Sequence, residues 1–373
     1  MKQTQAFLST YTADVSGVCS ALFELGGMTV MHDASGCNST YNTHDEPRWY
    51  DMDSLVYISG LSELEAVMGD DEKLISDVSD AARQLHPRFI ALAGTPIPMI
   101  TGCDLPAIAR EVEGRTKIPS FAVPSNGIGT YVAGAGQALR LYAERFITSR
   151  PEKRKNAVNI LGATPLDFSV NGCVQSMARR LEEAGFAVQS VFAMGSSIGS
   201  IDKAGAAEVN LVVSSVGLPA AKYFQAQFGT PYVIGAPFGD FFSPYVFDAL
   251  RASIRTGENT RVLGTCSPDA PDTVIVGESV TAKSLAAALA VGYGIGARVI
   301  CPVEAPGGVL GACDLQLEDE EEIEEALRGA RRVIADPLYR RIVPKTSEFY
   351  ALPHEAFSGR IYRKQIPNLA ERV

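Results

Sequence analysis

The chain has no long hydrophobic run and no surplus of positive charge. No stretch approaches the roughly 18 apolar residues of a membrane-spanning helix. Residues 1–16 lack the basic start and apolar core of a secretory signal, so a cytoplasmic location is expected. With 33 Lys and Arg against 43 Asp and Glu, the net charge is -10, which excludes a general phosphate-binding surface for nucleic acid. There is no CxxC pair, no HExxH and no P-loop, so neither a simple zinc site nor an ATP site on this chain is expected. The glycine-rich "GIGTYVAGAG" lacks the GxGxxG spacing of a dinucleotide loop. Seven scattered cysteines do not form a disulfide framework, and a reducing compartment would keep them as thiols.

What the sequence does have is alternation. Apolar runs alternate with amphipathic helical patterns, as in "NAVNILGA" before "VQSMARRLEEAGFAVQSVFAM" and "DTVIVGES" before "AKSLAAALAVGYGIGARVICPVE". That order is the mark of βα units and a parallel sheet. Related segments recur three times, at about 110 residues each, and predict an α/β fold of three Rossmann-like, doubly wound domains. The expected domains are 1–150, 151–262 and 263–373, with "TSRPEKRKN" as one linker and the region 257–272 as a weaker one. The acidic run "EDEEEIEE" reads as a solvated helix whose acids favour its first turn.

In open α/β sheets the ligand crevice lies beyond the carboxyl ends of the strands. "MHDASGC" stands at such a place, and offers His32, Asp33 and Cys37, with Gly36 permitting close backbone approach. A thiol near a helix start tends to ionise, and the thiolate is the metal ligand or nucleophile. Cys19, in "SGVCSALFELGG", fits a buried apolar face as well as a ligand role, and Cys103 begins a helix after the strand "RFIALAGTP". Cys173 starts another helix; Cys266, Cys301 and Cys313 have no ligand-like spacing. Among the four histidines His86 reads as structural, whereas His32, His44 and His354 lie in loops suited to proton transfer.

These segments resemble the nitrogenase component 1 family, which includes nitrogenase subunits, the dark protochlorophyllide reductases, the nickel-tetrapyrrole reductive cyclase and cofactor-assembly scaffolds. "HDASGC" is similar to the family's cluster loop, "ISGLSELEAVMGDDEKL" to its Glu-containing segment, and "GTPIPMITGCDLPAIAREVE" to its strand, loop and helix start. The resemblance implies an oxidoreductase component: a dimer with an interface iron–sulfur cluster, fed by an ATP-dependent iron–sulfur reductase like the nitrogenase iron protein. Cys37 sits on a family ligand position, while the family's other cluster cysteines fall near Ala13 and Thr95. A 4Fe-4S cluster needs four thiolates, which two copies each of Cys19 and Cys37 would supply across a homodimer axis, with Cys103 as a reserve ligand.

The family's catalytic metallocluster is held by a Cys and a His. Ser214 falls at the first position and His354 near the second, so no iron–molybdenum cofactor and no dinitrogen reduction are expected. The expected substrate is a small molecule, tetrapyrroles being one candidate class, reduced in an interdomain cleft where His32, Asp33, His44 or His354 supplies protons. The alternatives are a metallocofactor or tetrapyrrole assembly scaffold, or a cleft-type ligand-binding protein.

Overall fold

The computed structural model describes residues 6–8, 11–34, 46–264 and 272–373. Fourteen strands are described among these residues, in three sheets whose pairs are all parallel. The first sheet has the order β2-β1-β3-β4, from β1 (Met28–His32), β2 (Leu55–Ile58), β3 (Ile90–Gly94) and β4 (Ser120–Val123). The second has β6-β5-β7-β8-β9, from β5 (Ala157–Leu161), β6 (Ala187–Val191), β7 (Val209–Val212), β8 (Tyr232–Ile234) and β9 (Thr260–Arg261). The third has β12-β11-β10-β13-β14, from β10 (Thr273–Val276), β11 (Ala297–Cys301), β12 (Leu315–Gln316), β13 (Arg332–Ala335) and β14 (Glu348–Ala351). The mixed α/β architecture expected from the alternation is therefore present.

Parallel strands need crossover connections, and here helices provide them and cover the sheets. The central strands β5 and β3 are buried along their whole length, which explains why they read as continuous apolar runs. Two details differ from the sequence reading. "TYVAGAG", to which the sequence pattern assigns no element, opens the 16-residue helix Tyr131–Phe146. Its glycines serve packing, because a Cβ on Gly134 would stand 1.9 Å from the Asp14 carbonyl oxygen and one on Gly17 would stand 2.4 Å from that of Tyr131. Small residues thus let this helix and the helix Asp14–Leu22 touch backbone to backbone. The other difference is Cys313, which is disulfide-bonded rather than a thiol.

Each sheet reverses its strand order once, between β1 and β3, between β5 and β7, and between β10 and β13. Loops leaving neighbouring strands in opposite directions open a crevice at these points. The latter two crevices meet. Glu278, fully buried, caps the helix Ser279–Tyr293 by accepting from the Val280 and Thr281 amides at 3.0 Å, and also accepts from the Ser215 amide after β7 at 3.2 Å. One carboxylate thereby fixes the second sheet's loop against the third sheet's helix.

Candidate functional site

The first crevice holds His32 and Asp33, both buried at the end of β1. The His32 Nδ1 lies 2.9 Å from the Ser59 hydroxyl, and its carbonyl accepts from the Thr95 hydroxyl at 2.8 Å. Burial holds the imidazole pKa below its ordinary value, despite the opposing pull of Asp71 and Asp33. His32 is thus a neutral, hydrogen-bonded ring tied to β2 and β3. Cys37, Gly36 and His44 lie outside the described residues.

The two other thiols considered as ligands face opposite ways. Cys19 is fully buried in the cluster containing Met31, Phe89, Ala91 and Ala93. Cys103 packs against Val30, Ile90 and Leu92 on the other side of the same sheet, following the period of two along a strand. Desolvation pushes the Cys19 thiol pKa far up; desolvation and the adjacent Asp71 push that of Cys103 up to about 12. Among the described residues no group of three or more His, Cys, Asp or Glu is placed to hold a metal ion. The described thiols alone therefore do not fit an iron–sulfur cluster.

The second and third sheets form a different site. Asp167 follows β5 in the short helix Pro165–Phe168, Ser214 follows β7, and His354 follows β14. The Asp167 side chain is fully buried and accepts from the Tyr131 hydroxyl through one oxygen and from the Ser214 hydroxyl through the other, both at 2.6 Å. The His354 Nε2 lies 3.4 Å from Asp167 Oδ1, without the alignment of a hydrogen bond. Both ring nitrogens of His354 are shielded from solvent and have no hydrogen-bond partner. The ring stacks on Phe357 at 4.3 Å, and the His354 amide donates to Asp336 Oδ2 at 2.8 Å. Packing and backbone therefore orient this imidazole while its polar atoms stay uncommitted.

Asp167 and His354 line a cavity of about 50 Å³ whose other walls include Cys173, Phe238, Ile275, Leu285 and Leu369. The lining is mainly apolar, with the carboxylate and imidazole as its polar end. Burial, with Asp167 adding to it, raises the Tyr131 pKa well above the phenol range, so its hydroxyl keeps its proton and donates. The sequence reading included His354 and the Ser214 loop but missed Asp167, Tyr131 and Cys173 as members of one site. The available signal was an aspartate in the loop after β5, a strand at an order reversal. The tyrosine is the first residue of the helix Tyr131–Phe146.

Residues 16–253 match the family described as Nitrogenase component 1 type Oxidoreductase. Over 196 residues the chain is 28% identical to the nitrogenase iron-molybdenum cofactor biosynthesis protein NifE of Methanosarcina barkeri, an alignment covering 49% of this chain and 42% of that protein. It is 26% identical over 181 residues to a subunit of the light-independent protochlorophyllide reductase of Nostoc punctiforme, covering 46% and 36% of the two chains. These matches span less than half the length of either relative. A solved structure titled "Nitrogenase Cp1 at pH 6.5" shares the fold, with a TM-score of 0.63 at 14% identity over 95% of this chain and 86% of that one. The family's three-sheet architecture thus accounts for nearly the whole chain, and this protein belongs to the nitrogenase component 1 type oxidoreductases.

Proposed function

We propose that the chain is a reductase component that takes electrons from an ATP-hydrolysing iron–sulfur reductase and delivers them, with protons, to a small-molecule substrate between the second and third sheets. The observation that carries this reading is the buried His354 imidazole, with two uncommitted nitrogens at the inner end of the cavity. Adding electrons to an unsaturated molecule requires protons, and a positioned imidazole exchanges them readily. Tyr131 and Ser214 hold Asp167 beside the ring, and Asp167 steadies whichever form of His354 carries the extra proton. The apolar walls exclude water from the transfer.

A bound iron–sulfur cluster would supply single-electron transfer; in this reading Cys37 of each protomer would supply two of its four ligands across a homodimer axis, and the other two would come from groups other than Cys19 and Cys103 in their described positions. Leu64, Val67 and Met68 support association of some kind, since they are exposed at i, i+3 and i+4 on the helix Glu63–Met68 at the carboxyl edge of the first sheet. The Ser214 hydroxyl, committed to Asp167, is no soft-metal ligand, so dinitrogen reduction is not part of the proposal.

The test is iron, acid-labile sulfide and low-temperature EPR on protein purified and reconstituted without oxygen. About four irons per dimer in wild type and loss of the signal in Cys37→Ser are expected for a shared cubane. Absence of iron in reconstituted wild type would overturn the electron-accepting role. His354→Gln should keep the iron and lower turnover by about 100-fold or more. A scaffold for metallocofactor or tetrapyrrole assembly is a second reading, favoured by the likeness to a protein named for cofactor biosynthesis. Such a scaffold would pass a bound cargo to an acceptor and would show no multiple turnover.

A further inference from the structure

The cavity, at about 50 Å³, is several-fold below the roughly 300–1,000 Å³ of ordinary small-molecule sites. If it is the substrate site, one of its walls must move. Most walls are fixed: Ile275 and Val276 belong to the central strand β10, and Phe238, Ala282 and Leu285 are buried core residues. The wall formed by Ile366, Pro367 and Leu369 is built differently.

Between residues 359 and 373 only Ala370 is buried, and the two short 3-10 turns in this segment, Gly359–Ile361 and Arg363–Gln365, bury nothing. Apart from Ala370 in the core and Leu369 and Val373 packed against it, the attachments are polar, among them the Tyr293 hydroxyl donating to the Val373 carbonyl at 2.8 Å. Asn171 Nδ2 donates to the carbonyls of Ile366 at 3.0 Å and Pro367 at 3.1 Å, and Asn368 Nδ2 donates to the Ser176 hydroxyl at 3.1 Å. The Glu371 carboxylate accepts from the Ser176 hydroxyl at 2.8 Å and from Arg179 at 3.0 Å, the latter an exposed pair of the kind that holds weakly. The Gly239 amide donates to the Leu369 carbonyl at 2.9 Å. At the other end the Arg363 Nε donates to the buried Glu355 carboxylate at 2.8 Å and anchors the chain where the exposed segment begins. Beneath the segment lies Cys173, 3 % exposed, in the same buried cluster as Ala370 and with Leu369 packed against that cluster.

We propose that residues 366–373 form a strap that lifts from the second sheet's helix Cys173–Glu183 to admit substrate to the cavity, and closes over it for the reaction. This deepens the reading of the cavity as the substrate site and rests on it. Opening breaks a handful of polar contacts and uncovers the small apolar contact of Leu369, Ala370 and Val373, while the strands and helices of the other walls stay in place. It also uncovers the Cys173 thiol, which gives the motion a readout independent of iron or turnover.

The experiment is the rate of iodoacetamide labelling of Cys173 in the intact, full-length protein, read by peptide mass spectrometry. Cys301, which is fully buried in the third sheet, serves as the reference for global unfolding. Asn171→Ala should raise Cys173 labelling about 10-fold or more without changing that of Cys301. In the double variant Ser176→Cys with Asn368→Cys, oxidation to the crosslinked form should suppress labelling of Cys173, and reduction should restore it. If Cys173 and Cys301 label in constant ratio in every variant, only global unfolding exposes Cys173 and there is no strap. The same conclusion follows if the crosslink leaves the Cys173 rate unchanged. A protein that labels as expected but binds no iron would keep the strap and remove the electron-accepting role.

Discussion

Replacing Asp167 tests the central network most directly. Its two carboxylate oxygens each accept one hydroxyl, from Tyr131 and Ser214, and the side chain is fully buried. In Asp167→Ala both hydroxyls lose their acceptor inside the protein. Leaving a buried polar group unsatisfied costs about 1–3 kcal/mol, so the pair costs about 2–6 kcal/mol, before any gap left by the side chain is counted. At about 2–4 °C per kcal/mol for a unit of 150–250 residues, the melting temperature should fall by at least about 4 °C. Asp167→Asn has the same shape. Its oxygen still accepts one hydroxyl, and the other hydroxyl can rotate to accept from the amide, at a cost of about 1 kcal/mol. Stability should therefore fall in the order wild type, Asn, Ala, in differential scanning fluorimetry or calorimetry. An Ala variant melting within about 2 °C of wild type, or an Asn variant as damaged as Ala, would refute Asp167 as the hub. Turnover should fall in both variants, because neither keeps a carboxylate beside the His354 ring.

Three further outcomes follow from other parts of the chain. Burial lowers the His32 pKa from 6.5, so the folded state binds fewer protons there than the unfolded one. This contribution is present above about pH 6.5 and lost as pH falls through the folded-state value; melting curves between about pH 7.5 and 5 should steepen for wild type relative to His32→Gln, and parallel curves would disprove it. Gly134→Ala drives a Cβ to 1.9 Å from the Asp14 carbonyl oxygen and should cost about 3 kcal/mol or more, visible as a lowered denaturation midpoint; an unchanged midpoint would mean the helices separate freely. Cys103, with its thiol pKa raised to about 12, should alkylate at about pH 8 at least about 100-fold more slowly than free cysteine, although it is only half-buried. Fast labelling would show that Asp71 and desolvation do not govern it.

The alternating pattern made the α/β class and the parallel sheets legible, because buried central strands such as Ala157–Leu161 and Ile90–Gly94 leave nearly continuous apolar runs. It also pointed to the carboxyl ends of strands, where His32 closes β1 and the following loops hold Ser214 and His354. The helix Tyr131–Phe146 was not legible, since its glycines read locally as breakers and are explained only by the helix packed against them. Likewise the short pairing strands β9 and β12, two residues each, have no pattern of their own.

By itself, then, the amino-acid order determined the α/β class and the buried central strands, since burial periodicity and local turn chemistry act over a few residues. Tertiary structure alone decided which side chains meet. Cys19 and Cys103 looked alike as thiols near one sheet, but packing put them on opposite faces. The family resemblance already paired Ser214 with His354, but Tyr131 and Asp167 looked unrelated to them; parallel pairing aligns the carboxyl ends of β5 and β7, and the packing of the second sheet's loops against the third sheet's brings that of β14 to them.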